Sequence, residues 1–321
     1  MDIKSEAGED GNRSFKGIMN IEMIGTESLG VRGLSCVVRT ADRCIVIDPG
    51  IALGYRRKGL LPHPHQVAAG EDIRRVIIRA LGTATDIVIS HFHGDHMPLQ
   101  EANPYQLAVD DVKDLVQSPR LWIKGKNGES PHIADRRDRL LSGLERTADP
   151  CEGVVDGSVA FSECMPHGSG DNPSGTVMMT RIEENAEVFV HASDIQLLDD
   201  EPVHAILAWK PTIIFVSGPP VYRDLSTDTL IRARERIKEM ASEVRFCVVD
   251  HHLLRSIEGV EWLDTLRKET EGTVLCAADF MNRSRNFLEA RRKELYTRFP
   301  VPEDWHERYS KGMVDTDDFR M

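Results

Sequence analysis

The sequence predicts an α/β protein folded as a four-layer αβ/βα sandwich, with two β-rich halves face to face and helices outside. Two observations lead there. Strand-length apolar runs alternate with segments of helical periodicity, and the second half of the chain repeats the pattern of the first. No short-period repeat is visible, so a solenoid is not the reading.

In the first half, Asn20 to Ile24 reads as a strand. Ser35 to Arg39 and Cys44 to Ile47 read as a hairpin turning through Thr40-Ala41-Asp42-Arg43. Pro49 to Gly70 carries two prolines in Leu61-Pro62-His63-Pro64-His65 and reads as a long surface loop, the kind that serves as a lid, a binding loop or a plain connection. Glu71 to Leu81 places Ile73, Val76, Ile77, Ala80 and Leu81 at helical spacing, and Gly82 stops it. Asp86 to Ser90 is a strand, Leu121 to Lys124 another, and Ala134 to Thr147 a helix.

In the second half, strands are predicted at Val159 to Cys164, Thr176 to Ile182 and Glu187 to Val190, with Glu183 to Ala186 as the last turn. The helix Val203 to Trp209 leads to the strand Thr212 to Val216. Asp228 to Ala241 is a strong helix, with Leu230, Ala233 and Ile237 along one stripe. The strand Arg245 to Val249, a helix near Val260 to Lys268, the strand Thr273 to Cys276 and a helix from Asn282 to Tyr296 complete the series.

The chemistry is concentrated at one strand end. Residues 91 to 96 read His91-Phe92-His93-Gly94-Asp95-His96, directly after Asp86-Ile87-Val88-Ile89-Ser90. Imidazole suits zinc, iron, nickel and copper, and a carboxylate adds a hard oxygen. A chain leaving a strand and turning can aim His91 and His93 at one ion, and Asp95 and His96 at a second.

Other metal-capable residues share that placement: Asp48 after Cys44 to Ile47, His167 after Val159 to Cys164, Asp194 after Glu187 to Val190, and His251 with His252 after Arg245 to Val249. Strand ends on one side of a sheet converge, which is where α/β proteins bind ligands. His63, His65, His132, His191, His204 and His306 read as structural or solvated. No G-x-S-x-G elbow and no G-x-x-x-x-G-K-[ST] phosphate loop occurs.

Composition narrows the partners. The 321 residues suffice for a sizeable core, and a net charge of −12 argues against a broad nucleic-acid-binding face. Basic runs such as Arg232 to Lys238 and Arg291-Arg292-Lys293 sit among acids in helix-like segments and read as solvated faces. The apolar runs are strand-length, short of the ~20 residues that span a membrane. The six cysteines form no C-x-x-C pair and read as buried free thiols. Residues 1–18 read as a disordered polar segment rather than a signal peptide, which with the thiols makes the cytoplasm the expected compartment.

The order of motifs resembles the metallo-β-lactamase superfamily: an Asp after an early strand, then H-x-H-x-D-H, a lone His, a lone Asp and a late His. It is most similar to a mainly archaeal branch of predicted metal-dependent hydrolases. The resemblance covers roughly Asn20 to Cys276 and implies one hydrolase domain over residues 19–321, closed by a C-terminal helix. It implies that His91, His93 and His167 hold one divalent ion and Asp95, His96 and His251 a second. Asp194 would bridge them and Asp48 support the loop. His251 is preferred to His252 as the ligand. Two Zn2+ ions are expected, with iron or manganese as alternatives. The short stretch from Asp194 to His251 leaves no room for the large insert of the superfamily's nucleic-acid-cleaving branch.

The implied chemistry is a metal-held hydroxide attacking a small anionic ester, lactone or phosphodiester, because coordination lowers the pKa of water to about 7. Asp95 and His252 are the catalytic candidates, and either His252 or Asp250 is placed to pass a proton to the leaving group. The competing readings are a metal-dependent nuclease and an iron-dependent oxidoreductase on the same fold.

Overall fold

Residues 19–57, 59–168 and 175–320 are described by the computed structural model. The polar segment 1–18 lies outside them. Two mixed sheets form the centre. The first runs β1 (Asn20–Gly25), β2 (Ser35–Arg39), β3 (Cys44–Ile47), β4 (Asp86–Ile89) and β5 (Arg120–Ile123). β1, β2 and β3 pair antiparallel, while β3, β4 and β5 pair parallel. The helices α1 (Pro64–Leu81) and α2 (Pro131–Gly143) interrupt this series.

The second sheet contains β6 (Val155–Asp156), β7 (Val159–Pro166), β8 (Thr176–Glu184), β9 (Glu187–Ser193), β10 (Ile213–Val216), β11 (Phe246–Val249) and β12 (Val274–Leu275). Its spatial order is β12-β11-β10-β9-β8-β7-β6, parallel from β12 to β9 and antiparallel beyond. The remaining helices are α3 (Asp200–Ala208), α4 (Thr227–Glu243), α5 (Ile257–Glu269), α6 (Ala277–Phe280), α7 (Arg292–Arg298) and α8 (Trp305–Ser310).

The period-2 alternation of the short strands builds the layers. Ile45, Ile47 and Val88 point between the sheets and meet Phe161, Met178, Phe189, Phe215 and Val248. Their neighbours Val46, Ile87 and Ile89 point outward, into a cluster with Ile77 and Leu81 of α1 and Leu140 of α2. On the far side Ile214, Val216, Cys247 and Val249 pack with Ile206, Ile237, Met240 and Leu263 of α3, α4 and α5. The central strands β3, β4, β10 and β11 bury both faces, and the four-layer sandwich follows.

Three expectations change. The segment from Pro49 is not a surface loop running to Gly70: most of its described residues are buried or half-buried, and α1 begins at Pro64. Pro64 occupies the first helical turn, where no amide partner is needed, and the His63 side chain accepts from the His65 amide as the cap. The helix expected from Asn282 is confined to α7. Before it, Asn282 is left-handed (φ 51°), the Asn286 amide donates to Ser28 O at 2.8 Å, and Arg285 is held by Asp264 and Asp279. Of the six thiols, Cys44 and Cys164 are only half-buried. The short elements β6, α6 and α8 had no sequence signal.

Candidate metal centre

β3 and β4 of one sheet and β7, β9 and β11 of the other all end at the same edge of the sandwich. There the Ser90 and Ser193 hydroxyls, one from each sheet, both reach the Asp48 carboxylate, and the Met178 amide donates to Ser90 O at 3.0 Å, stitching sheet to sheet. Asp48, Ser193 and His251, the residues just past or at the ends of β3, β9 and β11, adopt left-handed backbone (φ 48°, 49° and 49°). That conformation is costly for non-glycine residues and turns the chain sharply at each strand end. Gly50 is required here: a Cβ would lie 2.1 Å from the Met97 amide nitrogen. The loop after Asp48 therefore lies flat against the His91–His96 turn.

Phe92 is fully buried in the outer core and anchors that turn, leaving His91 and His93 on its other side. Asp194 Oδ2 lies 3.3 Å from His91 Nε2, 3.6 Å from His93 Nδ1 and 3.3 Å from His167 Nε2. Its Oδ1 lies 3.2 Å from His96 Nε2 and 3.1 Å from His251 Nε2. His96 and His251 approach to 3.3 Å, and Asp95 Oδ2 stands 3.6 Å from His251 Nε2. Four overlapping groups result: His91, His93, His167 and Asp194; Asp95, His96 and His251; Asp48, His91 and His96; and Asp194, His251 and His252. Each is compact enough to hold a metal ion.

The surroundings fix the rings. Asp48, wholly buried, accepts from the Ser90 amide (2.9 Å), Ser90 Oγ (2.7 Å), Ser193 Oγ (2.7 Å) and His96 Nδ1 (3.0 Å). This leaves His96 Nε2 aimed inward, the arrangement by which carboxylates orient metal-binding imidazoles. Burial opposes the charge on Asp48, but His96 outweighs it and holds the carboxyl well below the usual range. Glu27 does the same for His251, with Oε2 2.7 Å from Nδ1. Since a carboxylate can only accept, Nδ1 carries a hydrogen and Nε2 faces inward; burial and Arg255 lower the pKa of this ring, but Glu27 and Asp194 outweigh them and raise it. The Gly33 amide, 3.3 Å from Nδ1, is then a contact rather than a second bond.

Burial, helped by the neighbouring charge of His96, pushes His91 down to about 4. Burial likewise lowers His167 and His252, the latter with Arg255 beside it. These rings keep lone pairs at neutral pH. Asp194 is held well below the carboxylate range; burial works against this and His96, His251 and His252 override it.

His252 lies on the other face of the late pair. Its Nε2 is 3.3 Å from Asp194 Oδ2 and its Nδ1 is 3.2 Å from the Tyr222 hydroxyl. Asp250 is not available for proton transfer. Its oxygens accept from the amides of Ser28 (3.0 Å), His251 (2.8 Å) and Ala277 (3.0 Å), which makes it a brace for the β11 turn. Sequence reasoning missed Glu27, Ser90, Ser193, Tyr222 and Arg255. Only Arg255 carried a usable signal: an arginine inside His251-His252-Leu253-Leu254-Arg255, four residues beyond a candidate ligand. Of the histidines set aside, His132 lines a cavity beside Gly94 and Asp95, and others are bound elsewhere. His191 Nε2 meets Leu34 O at 2.8 Å, and His63 and His65 meet the carbonyls of Phe299 and Phe319.

A cavity of about 360 Å³ opens onto the centre, lined by His93, His167, Asp194 and His252 together with Arg32, Arg136, Arg223 and Arg255. A second, of about 410 Å³, adjoins it through Arg32, Gly94, Asp95 and Arg136, and is walled by Leu53, Gly54 and Tyr55 of the segment after Asp48. That segment is pinned by Arg292, whose Nη1 donates to Gly54 O at 2.6 Å, and by Arg57, stacked on Tyr222.

No family model matches the chain. A UPF0282 protein of Methanosarcina mazei is 47% identical over 304 residues, covering 94% of this chain and 100% of the relative. The chain belongs to the UPF0282 family. A UPF0282 protein of Pyrococcus furiosus is 32% identical over 295 residues, covering 87% of this chain and 92% of its own. Among solved structures, Tm1679, a metal-dependent hydrolase of the β-lactamase superfamily, is similar at a TM-score of 0.47 and 13% identity, covering 81% of this chain and 96% of that one. Zn(2+)-bound PqqB from Methylobacterium extorquens is similar at 0.43 and 12%, covering 81% and 98%. Both likenesses are loose, and the architecture of this UPF0282 chain rests on its own sheets. No helix among the described residues is long and apolar enough to cross a membrane.

Proposed function

We propose that this UPF0282 protein is a metal-dependent hydrolase of a small anionic ester, lactone or phosphodiester. One observation carries the reading. His91 Nε2 and His167 Nε2 are buried 3.3 Å from Asp194 Oδ2, Asp194 Oδ1 faces His96 and His251 on the other side, and none of these three atoms, the two ring nitrogens and Oδ1, makes a hydrogen bond. Buried polar atoms are almost always satisfied, so orphans on both sides of one carboxylate fit cations. The donors are imidazole and carboxylate without thiolate, which suits Zn2+, iron or manganese; we assign two Zn2+ ions. His91, His93, His167 and Asp194 would hold the first, and Asp95, His96 and His251, with the other oxygen of Asp194, the second. When bound, such ions supply Lewis acidity toward a carbonyl or phosphoryl oxygen and acidify water.

The chain's own groups do the rest. Arg136 and Arg223 on the cavity wall give an anionic substrate a cationic approach on an otherwise acidic surface. His252, kept neutral by burial and braced by Tyr222, presents Nε2 to the cavity as the group to hold or move a proton. Asp95, tied to Arg255 at 3.1 Å, stays ionised beside the second position.

The nuclease reading has the cavity arginines in its favour, but Arg32 is engaged by Glu289, and Arg255 by Glu27 and Asp95. The compartment expected from the sequence, the cytoplasm, stands as part of this proposal. A hydrolysis screen over phosphodiesters, lactones, thioesters and structured RNA, on protein of measured metal content, tests it. Turnover of a small ester supports the reading; turnover of RNA alone replaces it with the nuclease.

A further inference from the structure

The two donor groups are not equally open. In the first, His91 Nε2 and His167 Nε2 face the centre without a hydrogen-bond partner. In the second, Arg255 Nη2 lies 2.6 Å from His251 Nε2 and 3.1 Å from Asp95 Oδ2. The same Nη2 is 3.3 Å from His251 Nδ1, so it stands over the face of that ring while Asp95 accepts from it.

We infer that Arg255 makes the two positions unequal: the first loads directly, and a second ion must settle beside the fixed charge of the guanidinium. This deepens the metal-centre reading and rests on it. A guanidinium only donates and keeps its charge at every working pH, so it cannot join the ligand set. An ion bound about 2.0–2.2 Å from His251 Nε2 and an Asp95 oxygen would stand close to the guanidinium charge, and the two cations repel. Arg255 is also anchored. Its Nε donates to Glu27 Oε1 at 2.8 Å, its Nη1 lies 3.4 Å from the Tyr222 hydroxyl, and its side chain is 8% exposed. Glu27 therefore serves both sides of the contest, orienting the His251 ring and holding the arginine that caps it.

Zn2+ titrated calorimetrically into the chelator-stripped full chain tests this. Wild type is expected to show two binding events, the second weaker by at least about ten-fold, from placing a dication beside a fixed cation. Arg255→Met, similar in length and uncharged, should tighten the second event by about ten-fold or more and leave the first within a factor of about three. Arg255→Lys, which keeps the charge, should leave the second event weak. Two events of equal affinity in wild type would overturn the inference, as would an Arg255→Met protein, folded by circular dichroism, that keeps the wild-type gap. Should Arg255→Met not fold, Arg255→Gln, also uncharged, carries the same comparison. An isotherm without any Zn2+ binding would remove the metal-centre reading itself.

Discussion

Asp194 and His251 meet at one edge of the second sheet: Oδ1 of the residue after β9 lies 3.1 Å from Nε2 of His251, two residues past β11. The other oxygen, Oδ2, faces His91 and His167 at 3.3 Å each. One carboxylate thus serves both donor groups.

Asp194→Asn keeps the volume and removes the charge that both positions share. Zn2+ should bind more weakly at both, by about ten-fold or more each. Because metal binding and folding are coupled, circular dichroism must accompany the titration. A folded variant with wild-type affinity at both positions would show that Asp194 is not the bridge.

Adjacent rings at His251 and His252 diverge because their backbones do. His251 is left-handed (φ 49°) and His252 is helical (φ −59°, ψ −39°), so the ring planes cross at 80°. His251→Ala should lower occupancy of the second position. His252→Ala should keep the metal content and lower kcat. The reverse pattern would exchange their roles.

Asp48 belongs to neither of the two proposed ion positions, though it clusters with His91 and His96, and it holds the His96 ring through Nδ1. Asp48→Asn should weaken metal binding by about 10–100-fold without altering any ligand. Unchanged affinity would show that packing alone orients His96.

Glu289 couples the C-terminal region to the cavity wall through Arg32 (2.5 Å) and Arg57 (2.9 Å). Burial raises its pKa, but Arg32 and its neighbours win and bring it from 4.5 down to about 2. A depressed carboxyl contributes stability that is full above 4.5 and is lost as pH falls through about 2. Between those values the linkage amounts to about 3 kcal/mol. Glu289→Gln should therefore be less stable in urea at pH 7, and its deficit should shrink from pH 4.5 downward. A deficit that stays constant to pH 3 would contradict the pairing.

Much of this was legible because the strands are short and doubly buried. Runs such as Ile87-Val88-Ile89 announce themselves, and the polar residues past their ends stand out against them. What was hidden depends on contacts distant in sequence. Glu27 acquires its meaning only from His251, and Asp250 looked like an acid for proton transfer until the amides of Ser28 and Ala277 closed around it. Pro64 concealed a helix start because proline in a loop and proline in a first helical turn look alike in sequence. The irregular stretch before α7 follows Ser28 and Asp264 rather than its own helical propensity.

The central claim is that this edge holds catalytic metal. Metal content and hydrolytic activity measured on the same protein, as purified without chelator, after chelation and after adding Zn2+ back, test it most directly. The account predicts about two ions per chain at saturating Zn2+, activity lost with the metal, and activity restored with it. A metal-free protein that retains full activity would contradict it.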